Sequence, residues 1–416
     1  MNYNESISYI ENKTKLGIKP GLSSIMDLLS ALKNPQRKLK CVHIAGTNGK
    51  GSAGAFLESI LMHAGIKVGR YTSPAVFEYL ERFTISGCMV SEDEYAEAIG
   101  QISGLPEAET ATVFEIETAA AFLLFASKNV EIALVECGMG GESDATNVDF
   151  QTLVSVITSI GNDHAAFLGP KLTDIANHKA GIIKEGGITV SAPQSDEVSA
   201  VIKKRCDLKL SKLIGISEPD IRMLESSIES GTRFSYKGRE YHISLPGTYQ
   251  PENAACAIET AFALKKLGFD IDEEDIRSGL DQAGWPGRMD VVSREPLIVF
   301  DGAHNEPAWK KLVESVDFYF TNRRIIYIIG VFKDKDYEKL VRLISESPHT
   351  GPVICISAPG ERGLDREALS ERFTRAGMES YTSEGFKQAL ELAKTLRNPG
   401  DVTVCCGSLS YFKFLL

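Results

Sequence analysis

The sequence predicts an α/β protein with two units, each built on a largely parallel sheet that helices cover on both faces. Apolar, β-rich runs alternate with helix-period segments over almost the whole chain, and the runs are continuous, as in buried strands. The pattern is interrupted once and restarts after AGWPGRMDVVSREP (283–296), where Gly and Pro punctuate the chain. We therefore expect an N-terminal domain at 1–290 and a smaller C-terminal domain at 291–416.

The first unit is expected to contain four central strands with helices between them. The strands are predicted in KCVHIAG (40–46), VEIALVECG (130–138), TLVSVITSIG (152–161) and GITVSAP (187–193). Apolar periodicity, with glycine after the first and last helix as a stop signal, predicts helices at 50–64, 114–129, 172–183 and 251–267. The stretch 205–247 is polar and carries short alternating pieces, which predicts a small antiparallel excursion.

The second unit repeats the alternation of strands and helices. Its strands are predicted in IVFDGA (298–303), RRIIYIIGV (323–331), PVICISA (352–358) and DVTVCCGS (401–408). Its helices are predicted in NEPAWKKLVESVDFYF, KDYEKLVRLISE, REALSERFTRAG and GFKQALELAKTLR. This order of elements predicts a second α/β layer arrangement of about 120 residues.

Composition bounds the class of protein. The chain has 416 residues, is 43% hydrophobic and 24% charged, and carries a formal charge of −11, which argues against a nucleic-acid partner because such a protein needs a basic face. The eight cysteines form no C-x-x-C pair, so they are expected to be reduced thiols. There is no basic region followed by an apolar one at the N-terminus, and no apolar run approaches the ~20 residues of a membrane helix. We expect a cytoplasmic protein without a membrane partner.

HIAGTNGKGS (43–52) has the composition of a phosphate-binding loop with an unusual spacing. Gly46 stands three residues before Gly49, and a further glycine separates Lys50 from Ser52, unlike the common pattern. A β-run, a glycine-rich turn and a helix still favour phosphate, because backbone N–H groups and the helix dipole attract anions. The lysine can reach the β- and γ-phosphates and the serine hydroxyl can bind Mg²⁺. An ordinary glycine-rich turn before a helix is the alternative.

GTNGKGS resembles the phosphate loop of the Mur ligase superfamily, and the glycine between Lys and Ser resembles its folylpolyglutamate synthase and dihydrofolate synthase branch. The other segments that find a counterpart in that branch, in the same order, are KLGIKPGLSSIMDLLSALKNPQRKLKCV (15–42), TSPAVFEYLERFTISG (72–87), TVFEIETAAAFLLF (112–125), VECGMGGESDATN (135–147), ITSIGNDHAAFLG (157–169), IANHKAGIIKEG (175–186), LPGTYQPENAA (245–255), WPGRMD (285–290), FDGAHNEPA (300–308), KDKDY (333–337) and CGSLSYF (406–412). The chain is identified as a member of this family over nearly its full length.

The resemblance implies a fold, an activity and a set of ligands. The fold is a phosphate-loop ATPase domain of the Mur ligase central type with a parallel sheet, followed by a smaller Rossmann-like C-terminal domain. The activity is ATP-dependent ligation, in which a carboxylate becomes an acyl phosphate and the amine of L-glutamate displaces the phosphate. The substrates are ATP, L-glutamate and either dihydropteroate or a reduced folate. Two Mg²⁺ ions are implied, with a monovalent cation as an optional addition. Because the family is mostly monomeric, we expect a monomer, with the active site between the two units.

The resemblance also supplies metal ligands. On a helix, Glu115 and Glu117 point about 200° apart, so only one of them can face the site, and the match selects Glu115 together with Ser52 for the first Mg²⁺. Without the resemblance, Glu115 could equally be a solvated helix charge. His164 follows a predicted strand, at the edge where α/β proteins place ligands, and is implied as a ligand of the second Mg²⁺, whereas an isolated histidine is usually structural.

Lys179, in HKAGIIK, corresponds to the lysine that the family carbamylates with CO₂. The carbamate is an anion that can hold the second Mg²⁺ or help to place the γ-phosphate. Carbamylation requires a neutral amine, and burial lowers the pKa of a lysine toward that state. Lys184, five residues later, is expected to be a surface lysine. The four catalytic residues implied are Lys50, Glu115, His164 and Lys179.

Further positions are implied as ligand contacts. The residues matched to the ATP site are Asn48, Gly49, Lys50, Gly51, Ser52, Asn253, Arg288, Asp301 and His304. Asp301 could accept from a ribose hydroxyl and Arg288 could neutralise phosphate charge, although an Asp-Gly turn and a loop arginine are the simpler interpretations. The residues matched to the pterin and glutamate substrates are Ser73, Arg82, His304 and Ser408.

The sequence departs from the family on the pterin side. Ala75 stands where the family has an aromatic residue or His, Glu142 replaces an arginine after the double glycine, and Tyr249 replaces the His of an HQ pair. These departures leave three hypotheses open. The chain is a folate or dihydropteroate ligase; or it is a related ligase for a different carboxylic acid; or it is a non-catalytic ATP-binding protein. The joint presence of the phosphate-loop and metal residues argues against the last of these.

Overall fold

The structure, a computed structural model, describes residues 1–17 and 21–409. The chain forms two compact units, the first made of 1–222, 235–242 and 252–283, the second of 223–234, 243–251 and 284–416. Of the predicted segments, parts of KLGIKPGLSSIM (18–20) and of CGSLSYF (410–412) lie outside the described residues. No helix within the described residues is both long enough and apolar enough to cross a membrane.

An eight-stranded sheet forms the centre of the first unit, in the order β4-β3-β2-β5-β1-β6-β7-β8. Its strands are β1 (Lys40–Ala45), β2 (Val68–Tyr71), β3 (Phe83–Ile85), β4 (Cys88–Met89), β5 (Ile132–Glu136), β6 (Gln151–Ile157), β7 (Ile188–Ser191) and β8 (Lys212–Gly215). All neighbouring pairs are parallel except β2–β3 and β3–β4, which are antiparallel. The central strands β1 and β5 are buried almost throughout, which explains their continuous apolar sequences.

Ten α-helices belong to this part of the described chain. They are α1 (Tyr3–Lys13), α2 (Ser23–Ala31), α3 (Lys50–His63), α4 (Glu92–Ser103), α5 (Val113–Ser127), α6 (Ala165–Leu168), α7 (Leu172–Ala180), α8 (Asp196–Leu208), α9 (Gln250–Lys266) and α10 (Glu273–Gln282). Short 3₁₀ helices lie at Thr14–Leu16, Pro35–Lys38, Tyr79–Arg82, Pro106–Glu109 and Glu218–Asp220. Helix α5 is buried on nearly all sides and packs aromatic side chains such as Phe122 and Phe125 into the main core.

The predicted excursion at 205–247 is partly wrong. Helix α8 continues to Leu208, and Lys212–Gly215 is the parallel edge strand β8. This edge strand is only four residues long and mostly exposed, so its apolar pair Leu213 and Ile214 is too short a run to stand out as the central strands do. The rest of the stretch forms a separate three-stranded sheet in the order β11-β10-β9, with β9 (Ile221–Ser227), β10 (Gly231–Tyr236) and β11 (Arg239–Ile243).

The second unit contains a six-stranded sheet in the order β12-β13-β17-β14-β15-β16. Its strands are β12 (Asp290–Arg294), β13 (Leu297–Phe300), β14 (Ile325–Ile329), β15 (Thr350–Cys355), β16 (Ser380–Thr382) and β17 (Val402–Cys406), and its helices are α11 (Glu306–Tyr319), α12 (Tyr337–Glu346), α13 (Arg366–Arg375) and α14 (Phe386–Leu396). Only the β12–β13 pair is antiparallel among these strands. The predicted α/β class with mostly parallel sheets is therefore confirmed in both units.

Candidate functional site

The glycine-rich loop connects β1 to α3 at the carboxyl edge of the first sheet. Gly49 is the N-cap of α3 and has a left-handed backbone (φ 87°), and a Cβ there would lie 2.2 Å from Oδ1 of Asn253. A Cβ on Gly46 would lie 1.8 Å from Oγ1 of Thr158. Both positions therefore require glycine, the first for conformation and space and the second for space. The backbone N–H of Asn48 donates to the carbonyl of Ser159, which fixes the loop against the end of β6.

Two lysine side chains converge on one carbonyl of this loop. Nζ of Lys179 donates to the Gly46 oxygen at 2.8 Å, and Nζ of Lys50 lies 3.2 Å from the same oxygen and 3.4 Å from that of Thr47. Lys50 comes from the first turn of α3, whereas Lys179 comes from the last turn of α7. Ser52 is buried in the first turn of α3, and Gly51 precedes it within the helix. The loop thus collects positive charge where a helix N-terminus favours an anion.

Burial governs the titration of Lys179. Its side chain is 4% exposed, and desolvation together with the nearby positive charge of Lys50 lowers the pKa of the amine from 10.5 to about 7. The amine is thus partly neutral near neutral pH. A neutral amine is the form that can add CO₂, so this environment meets the chemical requirement for carbamylation.

Glu136 is a site residue that the sequence reasoning missed. It is the last residue of β5, is buried, and its Oε1 lies 3.7 Å from Nζ of Lys50. Its Oε2 accepts at 2.5 Å from the hydroxyl of Thr72, which is the residue directly after β2. The position could have been found, because a carboxylate at the carboxyl end of a central parallel strand adjoins the end of β1.

Glu115 and Glu117 are both buried, and neither is a solvated charge. Glu115 Oε2 accepts from the backbone N–H of Thr112 at 2.7 Å and from its hydroxyl at 2.8 Å, which closes a capping box at the start of α5. Glu117 forms an ion pair with Arg82 and accepts from the hydroxyl of Tyr79. Its pKa is raised because desolvation outweighs the attraction of the arginine.

The guanidinium of Arg82 lies in an aromatic environment. Its Cζ is 5.7 Å from the ring centroid of Tyr79 and 6.0 Å from that of Tyr71. Ser73 follows β2 and forms a cis peptide bond with Pro74. The two predicted substrate residues therefore come from one connection, the segment between β2 and β3.

His164 lies at the N-cap of the short helix α6 with a left-handed backbone (φ 53°), and its side chain is 42% exposed. Its Nε2 is 3.7 Å from Oδ2 of Asp163. Within the described residues, no three His, Cys, Asp or Glu side chains are grouped so that they could hold a metal ion. Of the four predicted metal ligands, only Glu115 and His164 are residues of these types. The other two are Ser52 and a modified Lys179.

In the second unit, Asp301 follows β13 and its carboxylate is buried. Oδ1 accepts from the N–H of Ala303 at 2.8 Å, and Oδ2 accepts from the N–H of Met289 at 3.0 Å and the hydroxyl of Tyr249 at 3.1 Å. Desolvation raises the pKa of this carboxyl, although Arg288 opposes that effect. Tyr249 is thus hydrogen-bonded to Asp301, a predicted ATP contact. Its position in the sequence did not indicate this bond.

The other predicted residues of the second unit lie in the same neighbourhood. Nη1 of Arg288 donates to the Gly287 carbonyl at 2.8 Å, and Nδ1 of His304 lies 2.9 Å from the carbonyl oxygen of Gly302. Ser408 is buried after the end of β17, which pairs with β13. The structure therefore groups Arg288, Asp301, His304 and Ser408 at the carboxyl end of adjacent parallel strands.

Two further sequence features have defined partners. Glu142 forms an ion pair with Arg205 of α8 at 2.9 Å, so the negative charge at this departure from the family is matched by a cation. Lys184 is not a simple surface lysine as predicted. Its Nζ donates to Oδ1 of Asn147 at 2.7 Å, and partial burial lowers its pKa.

Comparison with known families shows two matches that together span most of the chain. The model of the Mur ligase middle domain matches residues 44–261. The model of the Mur ligase, glutamate ligase domain, matches residues 287–409. The first contains the glycine-rich loop and its lysines, and the second contains the Asp301 group.

Individual proteins resemble the chain over nearly its whole length. A dihydrofolate synthase/folylpolyglutamate synthase of Bacillus subtilis (strain 168) is 38% identical over 360 residues, which cover 83% of this chain and 84% of that protein. The structure of E. coli FolC in complex with DHPP and ADP has a TM-score of 0.88 at 29% identity, covering 100% of this chain and 97% of the other. A bifunctional folylpolyglutamate synthase/dihydrofolate synthase with Mn, AMPPNP and L-glutamate bound has a TM-score of 0.85 at 27% identity, with coverage of 100% and 97%.

Proposed function

Because the chain belongs to the folylpolyglutamate synthase and dihydrofolate synthase family of the Mur ligases, we propose that it joins L-glutamate to a folate-type carboxylate with ATP. One structural observation carries the proposal: Lys50 and Lys179 converge on the Gly46 carbonyl inside a loop that requires glycine. Such a loop serves an anion, and the family supplies the reaction that uses it. The small-molecule ligands are ATP, L-glutamate and a pterin acid.

The proposed reaction has two steps. A carboxylate oxygen of the pterin acid attacks the γ-phosphorus, the bond to the β-bridging oxygen breaks, and ADP leaves. The product is an acyl phosphate. The amine of L-glutamate then attacks the acyl carbon, loses a proton, and inorganic phosphate leaves with the C–O electron pair. Activation is needed because a carboxylate at neutral pH is a poor acyl donor.

The protein's part in phosphoryl transfer is positioning and charge. In the proposal, the N–H groups of residues 48–52 and the N-terminus of α3 hold the phosphates, and Asn253 keeps the loop in shape by packing against Gly49. Lys50 leaves the loop carbonyls for the β- and γ-phosphates, where its charge offsets the negative charge of two anions brought together. Arg288 would neutralise phosphate charge and Asp301 would accept from a ribose hydroxyl, with His304 beside them.

The donor atoms of the proposed ligands are of kinds that suit divalent cations. Ser52, Glu115 and Glu136 offer oxygen ligands of the kind that Mg²⁺ prefers, and His164 with carbamylated Lys179 would complete a second position. Glu136 is added to the sequence-derived ligands because its carboxylate is buried next to Lys50, whereas one oxygen of Glu115 already serves the capping box. When bound, Mg²⁺ supplies positive charge that stabilises the transferring phosphoryl group.

The burial of Lys179 supports its proposed carbamylation. The neutral amine adds to the carbon of CO₂, loses one proton, and becomes an anionic carbamate. The change of sign removes the electrostatic repulsion between Lys179 and Lys50. As an anion, the carbamate of Lys179 then attracts the ammonium group of Lys50. It also releases the Gly46 carbonyl from one of its two lysine donors.

The residues proposed to bind the carboxylic acid substrate leave a non-folate acid as the alternative. Ser73, Arg82 and Ser408 are proposed contacts for the pterin acid and the incoming glutamate. Arg82 is already paired with Glu117, so it would bind a substrate carboxylate only by sharing its guanidinium. Glu142 stands where the family has an arginine and is paired with Arg205, so this position supplies no cation for a substrate carboxylate. The named relatives support the folate acceptor, and a different carboxylic acid stays the alternative that Glu142 suggests. We propose that the chain has an ATP-binding domain at 1–290 and a glutamate-ligase domain at 291–416. We also propose that it is a monomer.

Phosphate release tests both substrate hypotheses. The wild-type chain is incubated with Mg-ATP and L-glutamate, in parallel with dihydropteroate, with tetrahydrofolate and without a pterin, and a Lys50→Ala chain runs beside each reaction. Pterin-dependent turnover that Lys50→Ala abolishes supports the folate ligase and identifies its acceptor. ATP binding without pterin-dependent turnover moves the assignment to a different acid. Function that persists in Lys50→Ala without ATP supports the non-catalytic hypothesis instead.

A further inference from the structure

A second concave site lies in the first unit, away from the glycine-rich loop. It has a volume of about 330 Å³ and is formed by the β10–β11 hairpin and one face of α9. Helix α9 also carries Asn253, which packs against Gly49. The cavity residues of α9 begin at Glu259, a little under two turns further along, and extend to Lys266 in the last turn. Nine residues from Asn253 to Phe262 correspond to about 13 Å along the helix axis. The two sites therefore use opposite ends of one helix.

The hairpin side of the cavity presents two cations that are held in place. Nζ of Lys237 lies 5.2 Å from the ring centroid of Tyr236, and both side chains bond to Glu259 Oε1, at 2.6 Å and 2.8 Å respectively. Arg239 lies with its Cζ 5.4 Å from the ring centroid of Phe262. Because the rings hold the chain's own cations, their faces are not open for a ligand to stack on. What the hairpin offers is fixed positive charge above an apolar floor.

The helix side adds positive charge without further ion pairs among the described contacts. Glu259, Phe262 and Lys266 follow one another at helical spacing and share a face, and Lys265 and Lys266 form the basic last turn of α9. Both lysines are exposed and line the cavity. Glu259 is the single acidic residue in the lining, against four basic ones.

One of the four lining cations, Arg239, is paired with an acidic group outside the lining. Glu273 accepts from Arg239 at 2.7 Å and from the Tyr241 hydroxyl at 2.9 Å, and it also lies 3.3 Å from Arg277. Because Lys237 is paired with Glu259 and Arg239 with Glu273, the positive excess of the cavity comes from Lys265 and Lys266. A cluster of cations in a concave site attracts anions over the range of the Debye length.

We propose that this cavity binds a small molecule carrying several carboxylate or phosphate groups, at a position separate from the ATP site. Lysine ammonium groups on two sides suit an anion with more than one charged group, because each group can meet a different cation. A single carboxylate would meet only one side. The shared chemistry is multiple negative charge, and a γ-linked triglutamate and inorganic tripolyphosphate represent its two sources.

The experiment is isothermal titration calorimetry of the full chain with each probe at low salt, with L-glutamate as the single-unit comparison. Lys265→Gln/Lys266→Gln removes two lining charges without adding acid to the helix end. Lys203→Gln/Lys204→Gln on α8 is the matched control, since it makes the same change in net charge on another pair of adjacent exposed lysines. Lys50→Ala reports on binding at the glycine-rich loop instead.

We expect at least one probe to bind more tightly than L-glutamate, with binding at the cavity about tenfold weaker in the Lys265/Lys266 variant and changed less than about twofold in the α8 control. Lys50→Ala should leave triglutamate binding within about twofold and remove only the tripolyphosphate that binds at the glycine-rich loop. Preference for triglutamate assigns the cavity to polycarboxylates, and preference for tripolyphosphate assigns it to phosphates. The proposal is overturned if neither probe binds, if the α8 control weakens binding equally, or if all binding is lost in Lys50→Ala and unchanged in the Lys265/Lys266 variant. Far-ultraviolet circular dichroism confirms that each variant is folded.

Discussion

The loops that follow β1 and β13 begin alike and end differently. Each leaves a buried parallel strand, passes through glycine and enters a helix. At the start of α3 the N-cap is Gly49, which has no side chain to satisfy the helix N–H groups. At the start of α11 the N-cap is Asn305, whose Oδ1 accepts from the N–H of Ala308 at 3.0 Å. One helix end is open to an external anion, and the other is closed by its own sequence.

The charged groups beside the two loops differ in the same sense. Lys50 and Lys179 rest on backbone carbonyls, which are weak partners for ammonium groups and easily exchanged for phosphate. Asp301 has both carboxylate oxygens bonded to groups of its own unit. In the first loop, the lysines can therefore exchange their hydrogen bonds with the protein for bonds to a ligand. In the second loop, the hydrogen bonds of the charged group are largely satisfied within the protein. Loss of a residue should reduce catalysis at the first loop and stability at the second.

The largest effect is expected from Lys50→Ala. Removing the cation nearest the transferring phosphoryl group should lower kcat about 10³-fold, as for other preorganised charges at developing negative charge. The free energy of unfolding should change little, because the side chain bonds only to loop carbonyls at 3.2 Å and 3.4 Å and lies 3.7 Å from Glu136. Phosphate release and urea unfolding measure the two effects, with Lys204→Ala as a surface control. Activity within tenfold of wild type would remove the phosphate loop from the mechanism.

Lys179→Ala should come next, with about a 10²-fold loss of kcat and an intact fold. The reason is loss of the carbamate, and Lys179→Glu tests it by supplying a permanent anion of similar reach. Partial recovery in the glutamate variant is expected, and ¹³CO₂ NMR of the wild-type chain should show a carbamate carbon that both variants lack. Full activity in Lys179→Ala would refute the assignment.

A matched pair of substitutions separates the two candidate carboxylate ligands. Glu136→Gln should lower kcat by about 10- to 100-fold and weaken the Mg²⁺ dependence, because its carboxylate lies beside Lys50. Glu115→Gln keeps the capping box, since glutamine can also accept from Thr112, so any loss of activity in this variant reports on metal binding alone. Titration of activity with Mg²⁺ measures both. If Glu115→Gln needed more Mg²⁺ for half-maximal activity and Glu136→Gln did not, Glu115 and not Glu136 would be the main carboxylate ligand.

Much of this architecture could be predicted from the sequence, for reasons that also explain the misses. Central strands such as β1 and β5 are apolar throughout because both faces are covered, and their runs were found. Edge strand β8 was missed, since it is short and mostly exposed and contains only two apolar residues in a row. The loop glycines were readable because no other residue fits them.

The candidate site shows the limit of sequence reasoning more clearly. Lys179 and Lys50 lie far apart in sequence, and no local pattern shows that both reach the Gly46 carbonyl. Glu136 was overlooked because it ends an apolar strand, where a charge looks like a boundary rather than a ligand. The partnership of Tyr249 with Asp301 joins two elements whose pairing only the folded chain reveals.

The burial of Lys179 also predicts how stability depends on pH. Its pKa is about 7 in the folded chain and 10.5 ordinarily, so between these values the unfolded chain holds more protons. The free energy of unfolding should therefore rise with pH through this window, relative to Lys179→Met, by at most about 1.4 kcal/mol per pH unit. Urea unfolding in CO₂-free buffers from pH 6.5 to 9.5 measures it, because carbamylation would otherwise add stability in the same direction. Parallel pH profiles for the two chains would show that the amine is not desolvated.

The smallest expected effect, and the sharpest test of the contrast between the two loops, comes from Asn305→Ala. The substitution removes the side-chain acceptor at the start of α11 and should cost about 1 kcal/mol of unfolding free energy, as N-cap losses do. Asn305→Asp should restore most of it, since aspartate caps equally well and adds a charge that the helix dipole favours. If the α11 end is closed by its own sequence, KM for ATP should stay within about twofold in both variants. A large rise in KM with little loss of stability would instead mean that this helix end, like that of α3, is a place where the ligand completes the structure.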